Sequence, residues 1–124
     1  MYFTLQEKQA IANLALQMML ADGQVQDAET LLTFPIFAKI GIGEHDLDNV
    51  YDMNPIMVYA TINGMNDKQK RFVTAFLGTI ILADRDIDDK EVKTWQLTTA
   101  MCDLPSMCLS DAPAELKKIL ENWD

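Results

Sequence analysis

Several residue types that build particular functional sites are scarce in this chain of 124 residues, which has two cysteines and a single histidine. Cys102 and Cys108 are too few for a disulfide scaffold, and they fit the reducing conditions of the cytoplasm. His45 has no cysteine or histidine companion at metal-binding spacing, so a zinc site has weak support. We therefore expect a cytoplasmic protein whose thiols are buried near a helix end.

Positive charge is also scarce. Ten lysines and arginines stand against nineteen acids, which gives a formal net charge of −9. The bases are scattered, and Lys68, Lys70 and Arg71 form the one close group of three. Nucleic-acid binding needs clustered bases that release counterions from the phosphates, so the charge argues against that class of partner. An anionic membrane surface is disfavoured for the same reason.

Long apolar runs and catalytic motifs are missing as well. The longest strictly apolar run, IMVYA at 56–60, is far short of the ~20 residues of a membrane span. No basic region precedes an apolar one near residue 1, so we expect no targeting segment. Nucleophile-elbow, metalloprotease and phosphate-loop motifs are absent from the sequence. The sequence therefore predicts no membrane insertion and no enzymatic activity.

Apolar residues at helical spacing are abundant, and they make up much of the 49% hydrophobic content. Leu116, Ile119, Leu120 and Trp123 follow the i, i+3, i+4, i+7 pattern of a helix with one buried face. The stretch FVTAFLGTIILA at 72–83 is apolar nearly all round, which predicts a central helix. Residues 1–124 are thus expected to form one all-α domain, a helical bundle. Its helices are predicted at about 3–20, 27–40, 44–52, 55–64, 67–83, 89–103 and 112–123.

Local signals mark the ends of these helices. Asn66 followed by Gln69 matches a capping box, in which two side chains satisfy the free amides of a helix start. Asn54 stands before a proline, at a position where the first helical turn tolerates that residue. Pro35 lies inside the second predicted helix and lacks the amide that a helix interior needs, so a kink or break is expected there.

Two acidic stretches repeat along the chain. ADGQVQDAE at 21–29 and ADRDIDDKE at 83–91 align with a constant offset of 62 residues, since 84 − 22 = 62. Each stretch follows one apolar helical segment and precedes another. The simplest architecture is a duplicated helix-loop-helix that buries its helices in pairs, with halves at about 5–43 and 66–104.

This pattern resembles the TerB-like family, which is named for a tellurite-resistance protein. The mark of that family is Ala-Asp-Gly-x-(Ile/Val)-x-x-x-Glu after an apolar helix. Residues 21–29 match it fully, and residues 83–91 match it except at Arg85, where the family usually has glycine. The resemblance covers residues 5–104. It implies a compact helical bundle from a bacterial stress-response setting, whose clustered acids bind a divalent cation or form a docking surface.

The acids of the repeat have two interpretations. Asp84, Asp86 and Asp88 match the first ligand positions of an EF-hand loop, but Asp89 and Trp95 stand where that loop needs glycine and glutamate. An irregular Ca²⁺, Mg²⁺ or Mn²⁺ site is the first interpretation, with the oxygen ligands Asp84, Asp86, Asp88, Glu91, Asp22, Asp27 and Glu29. In the second, which is favoured, these acids only cap helices and interact with the positive ends of the helix dipoles.

A further acidic group marks a candidate partner surface. Glu44, Asp48 and Asp52 recur at i, i+4 and i+8, which predicts one acidic face on the third helix. Like charges at this spacing cost ~0.2–0.5 kcal/mol per pair, which a basic partner, a cation or plain solvation would offset. The leading hypothesis is a non-enzymatic module that docks a basic protein partner through its acidic loops and requires no cofactor. The alternative is a protein that binds a divalent cation.

Overall fold

The fold is built from helices. A computed structural model of the chain describes residues 1–20, 27–48, 50–83 and 89–123. Within these ranges the chain forms no strand, and the all-α class predicted from the sequence is confirmed. The helices are α1 (Leu5–Met19), α2 (Asp27–Ile40), α3 (Glu44–Leu47), α4 (Pro55–Asn63), α5 (Asp67–Ala83), α6 (Asp89–Met101) and α7 (Ala112–Glu121), with short 3₁₀ helices at Val50–Asp52 and Leu109–Asp111. None of these described helices has both the length and the apolar character needed to cross a membrane.

The central helix of the bundle is α5, as its apolar sequence predicts. It packs against α1, α2, α6 and α7, and most extensively against α7. Phe72 and Phe76 have no exposed surface, and their rings stack with centroids 5.6 Å apart. Phe37 of α2 meets Phe76 edge-on at 6.0 Å, and Trp123 meets Phe72 at 5.2 Å. Aromatic rings from α2, from α5 and from the segment after α7 therefore converge on one core, where such pairs add to the free energy of area burial.

The capping signals read from the sequence form as predicted. The Asn66 amide donates to Gln69 Oε1 at 3.0 Å, and the Gln69 amide donates to Asn66 Oδ1 at 2.9 Å. The Gln69 side chain also donates to the carbonyl of Tyr2 at 2.8 Å, so the same cap fixes the first residues of the chain. At the start of α4, Asn54 Oδ1 accepts from the Ile56 amide at 2.9 Å. Satisfying these free amides defines where α4 and α5 begin.

The predicted helix over 44–52 is wrong. Helix α3 ends at Leu47, and Asp48 has the extended dihedral angles φ −65° and ψ 128°. Buried Val50 then begins a 3₁₀ turn, and its carbonyl accepts from the Asn13 side chain at 2.7 Å. Aspartate and asparagine are weak helix formers, so this tertiary hydrogen bond outweighs the helical pattern. Residues 44, 48 and 52 consequently do not share one helical face.

Pro35 does not break its helix. Helix α2 continues from Asp27 to Ile40, so of the two predicted outcomes the break is wrong and the kink stays a prediction. Pro35 lies on the exposed side of α2, and Leu31, whose carbonyl loses its helical partner, is 76% exposed. Because that side of the helix faces water, solvent can satisfy the freed carbonyl.

The helix starts follow the offset of the acidic repeat. Leu5 and Asp67 begin α1 and α5, and Asp27 and Asp89 begin α2 and α6. Both pairs differ by 62 residues, since 67 − 5 = 62 and 89 − 27 = 62. The joints of the two halves, at 21–26 and 84–88, lie outside the described residues. The internal repeat therefore stays a prediction.

Gly78 permits the close approach of α5 and α7. A Cβ atom placed on this residue would lie 2.7 Å from Ala112 Cβ and 3.3 Å from Leu109 Cδ1. Carbon atoms in favourable contact are ~3.5–4.0 Å apart, so a side chain here must push the two helices apart.

We predict that Gly78→Ala lowers the free energy of unfolding by about 1–3 kcal/mol, because it overpacks the α5–α7 contact. The gain in helix propensity, up to ~1 kcal/mol, offsets only part of this loss. Urea unfolding measures the effect. Ala112→Gly removes the atom nearest to the added Cβ. In a double-mutant cycle, the double variant should therefore lose less unfolding free energy than the sum of the losses in the two single variants.

Gly64→Ala is the matched control, because Gly64 has an ordinary helical φ and the nearest atom to an added Cβ is 3.5 Å away. It should leave stability unchanged or raise it by up to ~1 kcal/mol. Equal stabilities of Gly78→Ala and Gly64→Ala, or strict additivity in the cycle, would contradict the close-approach account.

Candidate functional site

Most of the predicted cation ligands lie outside the residues or side chains that the structure describes. Asp22, Asp84, Asp86 and Asp88 lie outside the described residues. Asp27 and Glu29 belong to the first turn of α2, where the structure describes the backbone but not these side chains. In the part of the chain that is described, no three histidine, cysteine, aspartate or glutamate residues lie close enough together to hold a metal ion.

Glu91 is the member of that set whose side chain the structure places. It lies in the first turn of α6 and is 1% exposed, whereas its neighbours Asp89 and Lys90 are exposed. Burying a carboxylate is costly unless hydrogen bonds, a helix dipole or a cation compensates for lost hydration. Its position at the start of α6 supplies the dipole. The motif glutamate therefore belongs to the interior of the fold rather than to its acidic surface.

The predicted partner-binding acids are exposed but do not form the expected stripe. Glu44, Asp48 and Asp52 all face solvent along the irregular segment that directly follows α2. Asp46, between them, is half-buried, and its Oδ2 accepts from the Gly43 amide at 2.8 Å as the cap of α3. The three carboxylates are separate exposed charges in the segment that follows α2 in the chain, and the helical turns of that segment pack against α1.

A feature that the sequence reasoning missed is a second apolar face on α2. The inner face buries Ile36, Phe37 and Ile40. On the outer face Leu31 is 76% exposed and Phe34 is 44% exposed. Pro35 and Ala38 are exposed beside them, which completes an i, i+3, i+4, i+7 pattern. We call Leu31, Phe34, Pro35 and Ala38 the α2 stripe. Apolar positions at this spacing are typical of a helix face that is covered by another element.

An apolar groove runs beside the α2 stripe, between α2 and α7. It has a volume of about 380 Å³, and its lining includes Leu32, Ile36, Thr79, Leu116 and Leu120. Lys117 and Glu121 add one charge of each sign to this lining. Leu32 lines the groove and directly follows Leu31 of the stripe in α2, so the groove lies along the side of α2 next to the stripe. We call the stripe and groove together the α2 surface. A sequence feature that indicates this surface is present, because α2 is apolar on more than one side in the run TLLTFPIFAKI at 30–40.

The two cysteines lie in different surroundings, and both are free thiols. Cys102 is fully buried, as expected, whereas Cys108 is exposed, so the expectation of two buried thiols is wrong for Cys108. Burial raises the pKa of Cys102 to about 11, and the charge of Lys70 lowers it by a smaller amount. The thiolate is the reactive form, so the raised pKa makes Cys102 inert.

We predict that an aromatic disulfide reagent at about pH 8 modifies one thiol per native chain and two per denatured chain. Replacing Cys108 with serine should abolish the fast native reaction, because Cys102 stays buried and protonated. Absorbance of the released thiolate measures both counts. Rapid native labelling of the Cys108→Ser variant would show that Cys102 is accessible and would contradict its burial.

The comparisons with known proteins identify a structural relative. No protein-family model matches this chain, and no curated protein matches it. The fold matches a crystal structure of protein of unknown function PG1108 from Porphyromonas gingivalis W83 with a TM-score of 0.77. The two sequences are 32% identical, over 94% of this chain and 92% of the other. The resemblance to the TerB-like family is not tested by these matches and stays a prediction. The chain belongs to the same family as PG1108, a protein of unknown function.

Proposed function

We propose that this protein is a non-enzymatic interaction module that binds a basic amphipathic helix of a protein partner along the α2 surface. The observation that supports this proposal best is the exposure of the α2 stripe, whose apolar side chains lie on the outside of a helix already packed on its inner face. The bacterial stress-response setting and the cytoplasmic location belong to the proposal through the resemblance to the TerB-like family and the low cysteine content.

The spacing and shape of the α2 surface favour a helical partner. A helix presents side chains at i, i+3, i+4 and i+7, and these fit the stripe and the groove beside it. Leu31 and Phe34 are the natural anchors, because most of Leu31 and nearly half of Phe34 are still accessible to water. Fully burying a leucine or phenylalanine side chain contributes ~1.5–3 kcal/mol, so two anchors supply a useful part of a micromolar affinity.

The charge around the α2 surface favours a basic partner. The chain carries a net charge of −9, and Glu44, Asp48 and Asp52 are exposed just after the C-terminal end of α2. That end of the helix also carries the negative pole of its dipole. Complementary charge raises the association rate and selects against acidic partners. In this proposal the exposed acids attract the basic partner electrostatically, and the apolar α2 surface binds it.

We predict that a synthetic amphipathic peptide of leucine and lysine binds this protein, and that a leucine–glutamate peptide of the same pattern does not. Leu31→Asn should weaken binding about tenfold, because the loss of one buried leucine corresponds to ~1.5 kcal/mol or more. Asn at this exposed position should change the free energy of unfolding by less than ~0.5 kcal/mol. Calorimetry measures binding, and urea unfolding measures stability.

Leu97→Asn on α6 is the matched control, because Leu97 is a leucine that is 61% exposed on another helix. It should leave peptide affinity unchanged.

Neutralising residues 44, 48 and 52 as amides should slow association and reduce its dependence on salt. Equal weakening by Leu31→Asn and Leu97→Asn would contradict the α2 surface as the docking site. Self-association that Leu31→Asn abolishes would identify a second copy of the chain as the occupant instead.

The second candidate function is divalent-cation binding at the joint before α6. The specific observation in its favour is the burial of Glu91, which the sequence places among the candidate ligands and the structure places in the first turn of α6. A carboxylate in that position would complete an oxygen-rich site for Ca²⁺ or Mg²⁺, if the aspartates at 84, 86 and 88 contribute their side chains.

For this second function, we predict saturable heat and a higher melting temperature when Ca²⁺, Mg²⁺ or Mn²⁺ is added. Asp84→Asn combined with Asp86→Asn should remove both effects, and Asp48→Asn combined with Asp52→Asn should preserve them. Calorimetry and thermal unfolding with millimolar metal provide the test. No heat and an unchanged melting temperature would leave helix capping as the role of these acids.

A further inference from the structure

A second concave site on the molecule has the opposite charge to the protein as a whole. It is a cleft of about 310 Å³ between the first turns of α5 and the end of α7. Its lining includes Lys68 and Arg71 from α5, and Glu115, Lys118 and Ile119 from α7. Three cationic side chains and one carboxylate therefore meet in a cleft on a chain whose net charge is −9.

Arg71 is positioned by a carboxylate within this cleft. Its Nε lies 3.2 Å from Glu115 Oε2, and the Arg71 side chain is 59% exposed. Within the described part of the chain, the Nη groups of Arg71 make no hydrogen bond. A guanidinium that is held through Nε keeps two parallel N–H donors, the arrangement that binds a phosphate or carboxylate through two hydrogen bonds.

The two lysines of the cleft have no acidic partner among the described residues. Lys68 lies three positions before Arg71 on α5, and Lys118 lies three positions after Glu115 on α7. By contrast, Lys70 Nζ lies 3.5 Å from Asp103 Oδ2, in a neighbouring cleft that Arg71 also lines. Lys68 and Arg71 are like charges three residues apart on one helix, so they repel each other, and a bound anion removes that repulsion.

We propose that this cleft binds a small organic dianion, with a phosphate or paired carboxylates held by Arg71, Lys68 and Lys118 and an apolar part against Ile119. The volume is at the lower end of the range for small-molecule pockets, about 300–1,000 Å³. The net negative charge repels an extended polyanion, but beyond about 8 Å that repulsion is largely screened at physiological salt, so local cations decide whether a compact anion binds. This inference is independent of the α2 surface and of its partner.

The test is an NMR titration of the ¹⁵N-labelled protein at low salt with phenyl phosphate, inorganic phosphate and succinate. Saturable shifts are expected at residues 68–71 and 115–122. Phenyl phosphate binding more tightly than inorganic phosphate would support the apolar contact with Ile119. If phenyl phosphate binds more tightly than succinate, phosphate is the recognised group. If succinate binds more tightly, the recognised group is carboxylate. Arg71→Gln should weaken binding about tenfold, because it removes a bidentate charged contact.

Two further variants separate a built site from general charge attraction. Arg71→Lys keeps the charge but loses the two parallel donors, so its affinity should fall between those of the parent and Arg71→Gln. Lys93→Gln removes one exposed lysine from α6, outside the cleft, and should leave the affinity unchanged. Absence of saturable shifts at tens of millimolar anion, or equal weakening by Lys93→Gln and Arg71→Gln, would overturn the proposal. Tighter binding of a short oligonucleotide than of phenyl phosphate would overturn its restriction to small ligands.

Discussion

The enclosure of α5 is the constraint on which the rest of the structure depends. Phe72, Phe76 and Ile80 have no exposed surface, and α1, α2, α6 and α7 each give one face to this helix. Helix α2 packs its inner side against this core, and the apolar residues on its other side face outward. Most of the burial that stabilises the fold is therefore complete without the α2 stripe. That surplus of apolar surface is the basis of the proposed function.

The sequence predicts the helices well where the signals are local. Asn66 and Gln69 cap the same few residues that they precede, so their pattern could be read directly and is confirmed. The sequence fails where distant contacts decide. The helix expected over 44–52 ends early because Asn13 holds the Val50 carbonyl, and no local pattern shows that hydrogen bond. The break predicted as one outcome at Pro35 does not occur, because the exposure of that face, which the sequence does not show, lets water satisfy the freed carbonyl.

The functional sites also divide into features that a local sequence pattern shows and features that depend on the fold. The acidic repeat is visible as a pattern, yet the pattern does not show that Glu91 is buried while its neighbour Asp89 is exposed. Net charge argues against extended polyanions as ligands but hides the basic cleft, which forms because the packing of α5 on α7 brings Lys118 to Arg71 from a distant part of the chain. In a helix that is apolar on two sides, the sequence predicts burial equally for both sides. Only the fold shows which side of α2 is left uncovered.

The account depends most on the claim that the outer side of α2 is a binding face. An isotope-filtered NOE spectrum of the labelled protein with an unlabelled basic amphipathic peptide tests that claim atom by atom. We expect NOEs from the Leu31 methyl groups and the Phe34 ring to apolar side chains of the peptide. NOEs confined to other exposed apolar residues, such as Leu97 and Met101 of α6, would contradict it.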